Sequence, residues 1–435
     1  MTKLAAIRIR EGSGHRKTHP HVSSLDRDRT RATAAIFASV ALGSTSLYAA
    51  FTAAPLIATE MTGSRATSGL PGAIAVLGTA AGSALLSSAM ARRGRRFGLR
   101  VGYSVGLAGA LSALLVTGAS AGFVLFVPAM FVLGIGHAAN QLSRFAAADM
   151  QDATRRAPVL GWIVWAGTIG AVLGPPLLRA GEPIADALDL PSLTGAMMFA
   201  SLFYLAALIT VLIMRSDPSD IAVEDTSAAV ADSSGSRLAA MWKLPHVRLA
   251  LIVMVVGQAA MVLVMTMTPV HVRDFGHGLG VVGGIMTAHF VGMFALAPFV
   301  GKIVARWGAV RAISFGLGLL IMGAVAAAFS PVSSSILVAL SLFVLGLGWC
   351  FGFVSGSVLL TQGLAYAERA RVQGSVDAVA WFAAAVASLG SGFLLAGFGF
   401  RVLSLLAAAG VLVAVAFVAA RKDTAVMKVE SATPG

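Results

Sequence analysis

Charge is what this chain lacks most. Only 12% of its residues are charged, about half the ~25% usual in soluble proteins. It has a single cysteine, Cys350, which excludes an intrachain disulfide framework and leaves the redox compartment open. There is no phosphate-binding glycine loop, no nucleophile–base–acid pattern and no zinc-finger spacing, so nothing supports an enzyme. Residues 1–31 are charged and have no apolar core ahead of the first long apolar run, unlike a cleaved signal peptide. Carboxylates are nearly missing from the apolar runs; Asp377 is the one well inside them.

What remains is apolar. Hydrophobic residues make up 57% and the mean hydropathy is +0.85, in runs of about 20 residues that read as membrane helices. We read twelve spans, near 32–54, 69–90, 99–119, 123–147, 159–178, 194–214, 249–270, 281–304, 312–329, 336–362, 374–398 and 402–420. With the N-terminus in the cytoplasm, 27 of the 32 lysines and arginines fall on the cytoplasmic side, and Arg65, Arg179, Arg273 and Arg401 are those opposite. That asymmetry follows the positive-inside rule and places both termini in the cytoplasm. The formal charge of +13 therefore marks orientation and contact with anionic lipid, not a nucleic-acid partner. The expected organisation is a tail (1–31), a six-helix bundle (32–214), a polar cytoplasmic linker (215–248), a second six-helix bundle (249–420) and a C-terminal tail (421–435).

The halves repeat one another. Phe131-Val-Leu-Gly-Ile-Gly136 returns as Phe343-Val-Leu-Gly-Leu-Gly348, and Ala91-Arg-Arg-Gly94 returns as Ala305-Arg-Trp-Gly308. The segment Ser87–Arg96 is similar to the G-x-x-x-D-R-x-G-R-R loop of the major facilitator superfamily, and Gly301–Gly308 to its second copy. Ala91 and Ala305 stand where that family usually has Asp. In span 5, Gly161, Gly170, Gly174 and Pro175 resemble the family's antiporter-associated glycine motif, with Leu178 in place of the final Gly. The resemblance covers roughly residues 32–420. It implies an all-α membrane protein of twelve transmembrane helices in two pseudo-symmetric bundles, rocking about a midplane site by alternating access. Arg92, Arg95 and Arg306 would then belong to the gating loops.

Two faces stand out in the second half. Met261 and Met265 in span 7, and His289 and Met293 in span 8, are each spaced i, i+4 and share a helix face. Met254 and Met286 extend those faces. The two spans run antiparallel, so the pairs lie at matching depth. Thioethers and imidazole suit Cu(I) better than hard cations. A plainer reading makes the methionines adaptable core filler and the imidazole a partner for a neighbouring backbone carbonyl. Within the superfamily these pairs resemble the CcoA-like copper importers, which supply cytochrome oxidase assembly; that branch also contains riboflavin carriers. The resemblance implies that Met261, Met265, His289 and Met293 hold copper in transit, with Cys350 an accessory. The copper importers tend to carry several more cysteines.

Other polar groups have two readings each. Asp377 is either a protonation switch that couples transport to a proton gradient or a structural hydrogen-bonding group. In span 4, His137, Gln141 and Arg144 share one face. Asn140 and Gln141 are expected to line a central cavity, and Arg144 with Asp149 to tie helices at the cytoplasmic gate. His15, His19 and His21 in the tail, and His271 and His277 around Asp274, read as solvated loops, with metal collection the alternative. The sequence thus predicts a monomeric secondary transporter of a bacterial cytoplasmic membrane with no permanently bound cofactor. Its expected cargo is Cu(I), imported for cuproenzyme assembly. The alternative is a proton-coupled carrier of a small organic molecule, either a drug exporter or a riboflavin importer.

Overall fold

A computed structural model describes residues 20–214 except 152, then 244–331, 333–361 and 366–420. Among these residues there are helices and no strand. The first half comprises α1 (Pro20–Thr62), a 3-10 turn (Arg65–Thr67), α2 (Leu70–Arg93), α3 (Arg95–Gly118), α4 (Phe123–Asp149), α5 (Ala153–Leu173), α6 (Leu177–Ala187) and α7 (Thr194–Leu212). The second comprises α8 (Pro245–Asp274), α9 (Leu279–Phe290), a π-turn (Val291–Ala295), α10 (Ala297–Trp307), α11 (Ala309–Phe329), α12 (Ser335–Thr361) and α13 (Tyr366–Ala420). Helix α1 takes in the last twelve residues of the expected tail, 20–31; most of those residues are polar, so hydropathy could not see the helix begin there. Residues 215–243, and with them most of the expected linker, lie outside the described residues, as do His15, His19 and the C-terminal tail.

Nine helices among the described residues are long and apolar enough to cross a membrane, and two bent pairs raise the number to eleven. One bend, of 52°, separates α5 from α6 at Pro175-Pro176, two residues with no N–H to continue the ladder. The other, of 43°, separates the π-turn from α10, where Pro298 enters the first turn. The apolar part of α13, Val376–Ala416, has 41 residues, which is about 60 Å at 1.5 Å per residue and twice a bilayer core. Gly399 breaks it with φ +76° and ψ 170°, in a region that L side chains avoid.

The sequence repeat is a packing repeat. Gly78 on α2 lies against the carbonyl of Phe131, and Gly292, in the π-turn, lies against the carbonyl of Phe343; neither has room for a β-carbon. Gly134 closes on Ala75 of α2 as Gly346 closes on His289 of α9, and Gly136 closes on α3 as Gly348 closes on α11. Each motif glycine lets the same pair of backbones touch in both halves, the usual way helices associate where lipid offers no hydrophobic driving force. The loop motif repeats too. Gly94 (φ 89°) and Gly308 (φ 82°) sit between consecutive helices, and their N–H groups bond to Met90 O and Val304 O, four residues back.

The charged side chains at the arginine-rich end are tied within the first half. Arg95 donates through Nε and Nη2 to Asp149 Oδ2 at 3.0 and 2.7 Å, joining α3 to α4. Arg96 and Arg100 donate to the Leu212 carbonyl at 3.2 and 3.3 Å, capping the negative end of α7. Close contacts between the halves gather at the opposite, arginine-poor end. There Arg65 pairs with Asp274 at 2.9 Å, Ser68 Oγ donates to Met267 Sδ at 3.2 Å and Ser388 Oγ donates to the Gly69 carbonyl at 2.9 Å. Gly283 of α9 also packs on the Pro175 carbonyl, and Gly392 of α13 on that of Ala66.

Candidate functional site

Between the halves lies a cavity of about 300 Å³, at the small end of the range for solute sites. Its walls come from α1, α2, α4 and α5 on one side and from α8, α9, the π-turn, α12 and α13 on the other. The contacts at the arginine-poor end lie above it. Arg144 and Asp377 face it from α4 and α13, and their charges interact. Arg144 thus lines the cavity and also interacts with α13, the helix that includes span 11; Asp149 pairs with Arg95.

The thioethers and the imidazole part company. Met261, Met286 and Met293 pack with Phe290 in one buried cluster, and Met265 packs against it. All four methionines line the cavity. His289 is wholly buried and does not line it. Its Nδ1 lies 2.7 Å from the Leu342 carbonyl on α12. A carbonyl only accepts, so Nδ1 carries the proton. Met286, Phe290 and Met293 are spaced i, i+4, i+7, one helical face, and that face lines the cavity. His289 lies at the edge of that face and turns to the Leu342 carbonyl on α12 instead.

The other expected ligands are dispersed. Met254 packs against Gly356 and Cys350 is buried in the core; neither lines the cavity. Among the described residues no group of three or more His, Cys, Asp or Glu is placed to hold a metal. His271 stacks on Phe400 at 4.1 Å, and Asp274 is engaged by Arg65. Arg92 and Arg306 are exposed. Gly170 and Gly174 seat α5 against α1 at Ser44–Thr45 and Tyr48–Ala49.

Asn140, Gln141 and His137 all line the cavity. Asn140 is already occupied: Tyr103 donates to its Oδ1 at 2.7 Å and its Nδ2 donates to Ser44 Oγ at 3.2 Å. It fixes α1, α3 and α4 more than it offers a hydrogen bond to a solute.

The feature the sequence reading passed over is aromatic. Tyr48, Phe290, Phe294, Trp349 and Phe353 form a continuous row of rings with successive centroids 4.7, 6.5, 5.7 and 4.9 Å apart. All five line the cavity. Trp349 and Phe353 are stacked, with ring planes 16° apart. The i, i+4 spacing of Phe290 with Phe294 and of Trp349 with Phe353 was a usable signal; Tyr48, alone in the first half, gave none. Thioethers against ring edges add favourable contacts. The result is a continuous polarizable wall of rings, two neighbouring pairs of which are near parallel (24° and 16°) and two steeply tilted (58° and 75°).

Comparison with known proteins agrees with this architecture. The sequence profile of the Major Facilitator Superfamily matches residues 36–365 and 249–434. The chain is 36% identical over 370 residues to the uncharacterized MFS-type transporter YdeG of Bacillus subtilis, covering 84% of this chain and 85% of that protein. It is 28% identical over 371 residues to the riboflavin transporter RfnT of Brucella anthropi, covering 84% and 89%. Among solved structures, the nucleoside transporter NupG superposes with a TM-score of 0.67 at 16% identity, covering 91% of this chain and all of that one. The inward-open xylose transporter XylE from E. coli gives 0.63 at 16% identity, covering 90% and 95%. Duplicated helix packing, a cavity between the halves and these relatives lead to one assignment: this chain is an integral membrane transporter of the major facilitator superfamily.

Proposed function

We propose that this transporter carries a planar, heteroaromatic organic solute, with riboflavin the first candidate. The observation that carries the reading is the row of five rings on the cavity wall. A flat ring system can stack on some of these rings and meet others edge-on, and each aromatic contact adds about 0.5–1.5 kcal/mol beyond its buried area. A relative of similar length is a riboflavin transporter, which supports the same class. Counting the two apolar parts of α13, on either side of Gly399, as separate crossings gives twelve spans. With the arginine-rich end in the cytoplasm, the contacts at the other end support reading this as the inward-facing state of an alternating-access cycle. The monomer, in a bacterial cytoplasmic membrane and with both termini inside, is the working unit of this reading. Asp377, opposite Arg144, is its site of proton coupling.

Cu(I) is the rival cargo. Four thioethers face the cavity, a soft donor set, but the imidazole that completed the expected site is bonded to Leu342. Uptake of labelled riboflavin and labelled copper by vesicles, run in parallel, separates the two. Riboflavin accumulates, and Trp349→Ala lowers its uptake about tenfold or more through lost stacking and indole contacts. Asp377→Asn abolishes accumulation against a gradient and spares riboflavin exchange. Copper accumulation that depends on Met261 and Met293, with no riboflavin uptake, would reverse the choice.

A further inference from the structure

Trp349 donates its indole N–H to Gln258 Oε1 at 2.7 Å. An indole nitrogen can only donate. The bond therefore decides which way round the carboxamide sits, a point that coordinates alone often leave open. The oxygen faces the indole, and the amide –NH₂ is turned away from it. Gln258 lines the cavity from α8, one turn before Met261. Among the described residues Trp349 is its hydrogen-bond partner. The methionine sulfurs nearby are weak acceptors, so the two amide hydrogens have their best use with a solute.

The donor is also held rigidly. Trp349 is fixed between Phe294, whose ring meets it edge-on at 5.7 Å, and Phe353, stacked at 4.9 Å. It directly follows Gly348, the motif glycine pressed against α11. Gln258 is 7% exposed and lines the cavity, so a solute seated there displaces the water its amide hydrogens would otherwise meet. A site built around a fixed hydrogen-bonding group rejects solutes that cannot answer it far better than an apolar pocket rejects an extra methylene.

We infer that Gln258 is the specificity-determining donor of this cavity, reading a ring carbonyl or ring-nitrogen acceptor on the edge of a planar heteroaromatic solute stacked along Trp349 and Phe353. The inference rests on the proposed aromatic-solute function. It narrows the class to flat heterocycles with an acceptor edge, such as lactam and imide rings, and disfavours aromatic cations that present only donors.

The test is equilibrium binding of labelled riboflavin and of ethidium, a planar cation with no ring carbonyl, to the purified full chain in lipid nanodiscs. Gln258→Leu weakens riboflavin about tenfold, Gln258→Glu does the same because a carboxylate has no N–H to offer, and ethidium affinity for Gln258→Leu is not weakened and rises where the unanswered donor had opposed it. A wild-type protein that binds neither ligand overturns the aromatic-solute function, and this assignment with it. Unchanged riboflavin binding by Gln258→Leu and Gln258→Glu overturns the assignment alone and leaves the function standing. Where Gln258→Leu does not survive purification, Trp349→Phe decides. It keeps an aromatic ring, loses the N–H and frees the carboxamide to turn, so riboflavin weakens severalfold more than ethidium, which loses only stacking area. Equal losses for both ligands would count against Gln258.

Discussion

A buried imidazole needs a partner for whichever nitrogen holds its proton, and His289 finds one in the Leu342 carbonyl. That single bond decides between two roles that sequence spacing left open. A ligand histidine would be dispensable for folding and essential for cargo. A histidine that bonds α9 to α12 would be the reverse. His289→Phe is therefore expected to cost about 1–3 kcal/mol by orphaning a buried carbonyl. It would appear as a lower melting temperature of the solubilised protein, with the riboflavin KM unchanged and the amount in the membrane reduced. A variant of normal stability that has lost transport would return His289 to the site. The residues legible from sequence were those whose helix geometry was regular: Met261 and Met265 on α8 face the cavity together, as an α-helical face requires. Met293 faces the cavity with them, whereas His289 was misjudged because its partner, the Leu342 carbonyl, lies 53 positions away on α12. Gln258 was invisible for a related reason. Its meaning comes from Trp349, 91 positions away, and no local pattern couples the two.

At the scale of helices, the repeat was readable because duplication preserves the glycines that backbone contact requires. Phe-Val-Leu-Gly-x-Gly occurs twice, and in each copy its glycines press on the same two neighbouring helices. The bends in α5–α6 and before α10 were not anticipated as bends, though both contain proline; proline removes a hydrogen bond without saying how far the neighbours will let the axis swing. The break at Gly399 fell between two expected spans. The packing argument separates glycines that matter from those that do not. Gly292 has no room for a β-carbon against the Phe343 carbonyl, whereas one at Gly284 meets nothing within 4 Å. Gly292→Ala is expected to push the π-turn off α12 and cost about 1–3 kcal/mol, with Gly284→Ala within about 0.5 kcal/mol of wild type. Thermal unfolding of the two variants in the same detergent checks this. Equal melting temperatures would mean that the close approach at Gly292 is not what holds the second half together.

For the whole molecule, the question is whether the contacts at the arginine-poor end are a gate or a permanent weld. The ion pair Arg65–Asp274 is half exposed on the arginine side, so it contributes at most about 1 kcal/mol. The Ser388–Gly69 and Ser68–Met267 contacts are single hydrogen bonds, and a bond to sulfur is weak. A closure made of a few such terms is cheap to open, as a rocking carrier needs, since a deep energy well on one side would stall the cycle. Ser68 and Met267 touch across the two halves, and Cys350 is the chain's one cysteine, so the closure can be trapped. In a Cys350→Ala background, Ser68→Cys combined with Met267→Cys places two thiols at that contact. Oxidation is expected to abolish riboflavin uptake, leave riboflavin binding from the arginine-rich side intact, and be reversed by a reducing agent. The single-cysteine variants, oxidised in the same way, should transport normally. Continued uptake by fully cross-linked protein would show that the halves need not separate here, and would remove alternating access through this end as the mechanism.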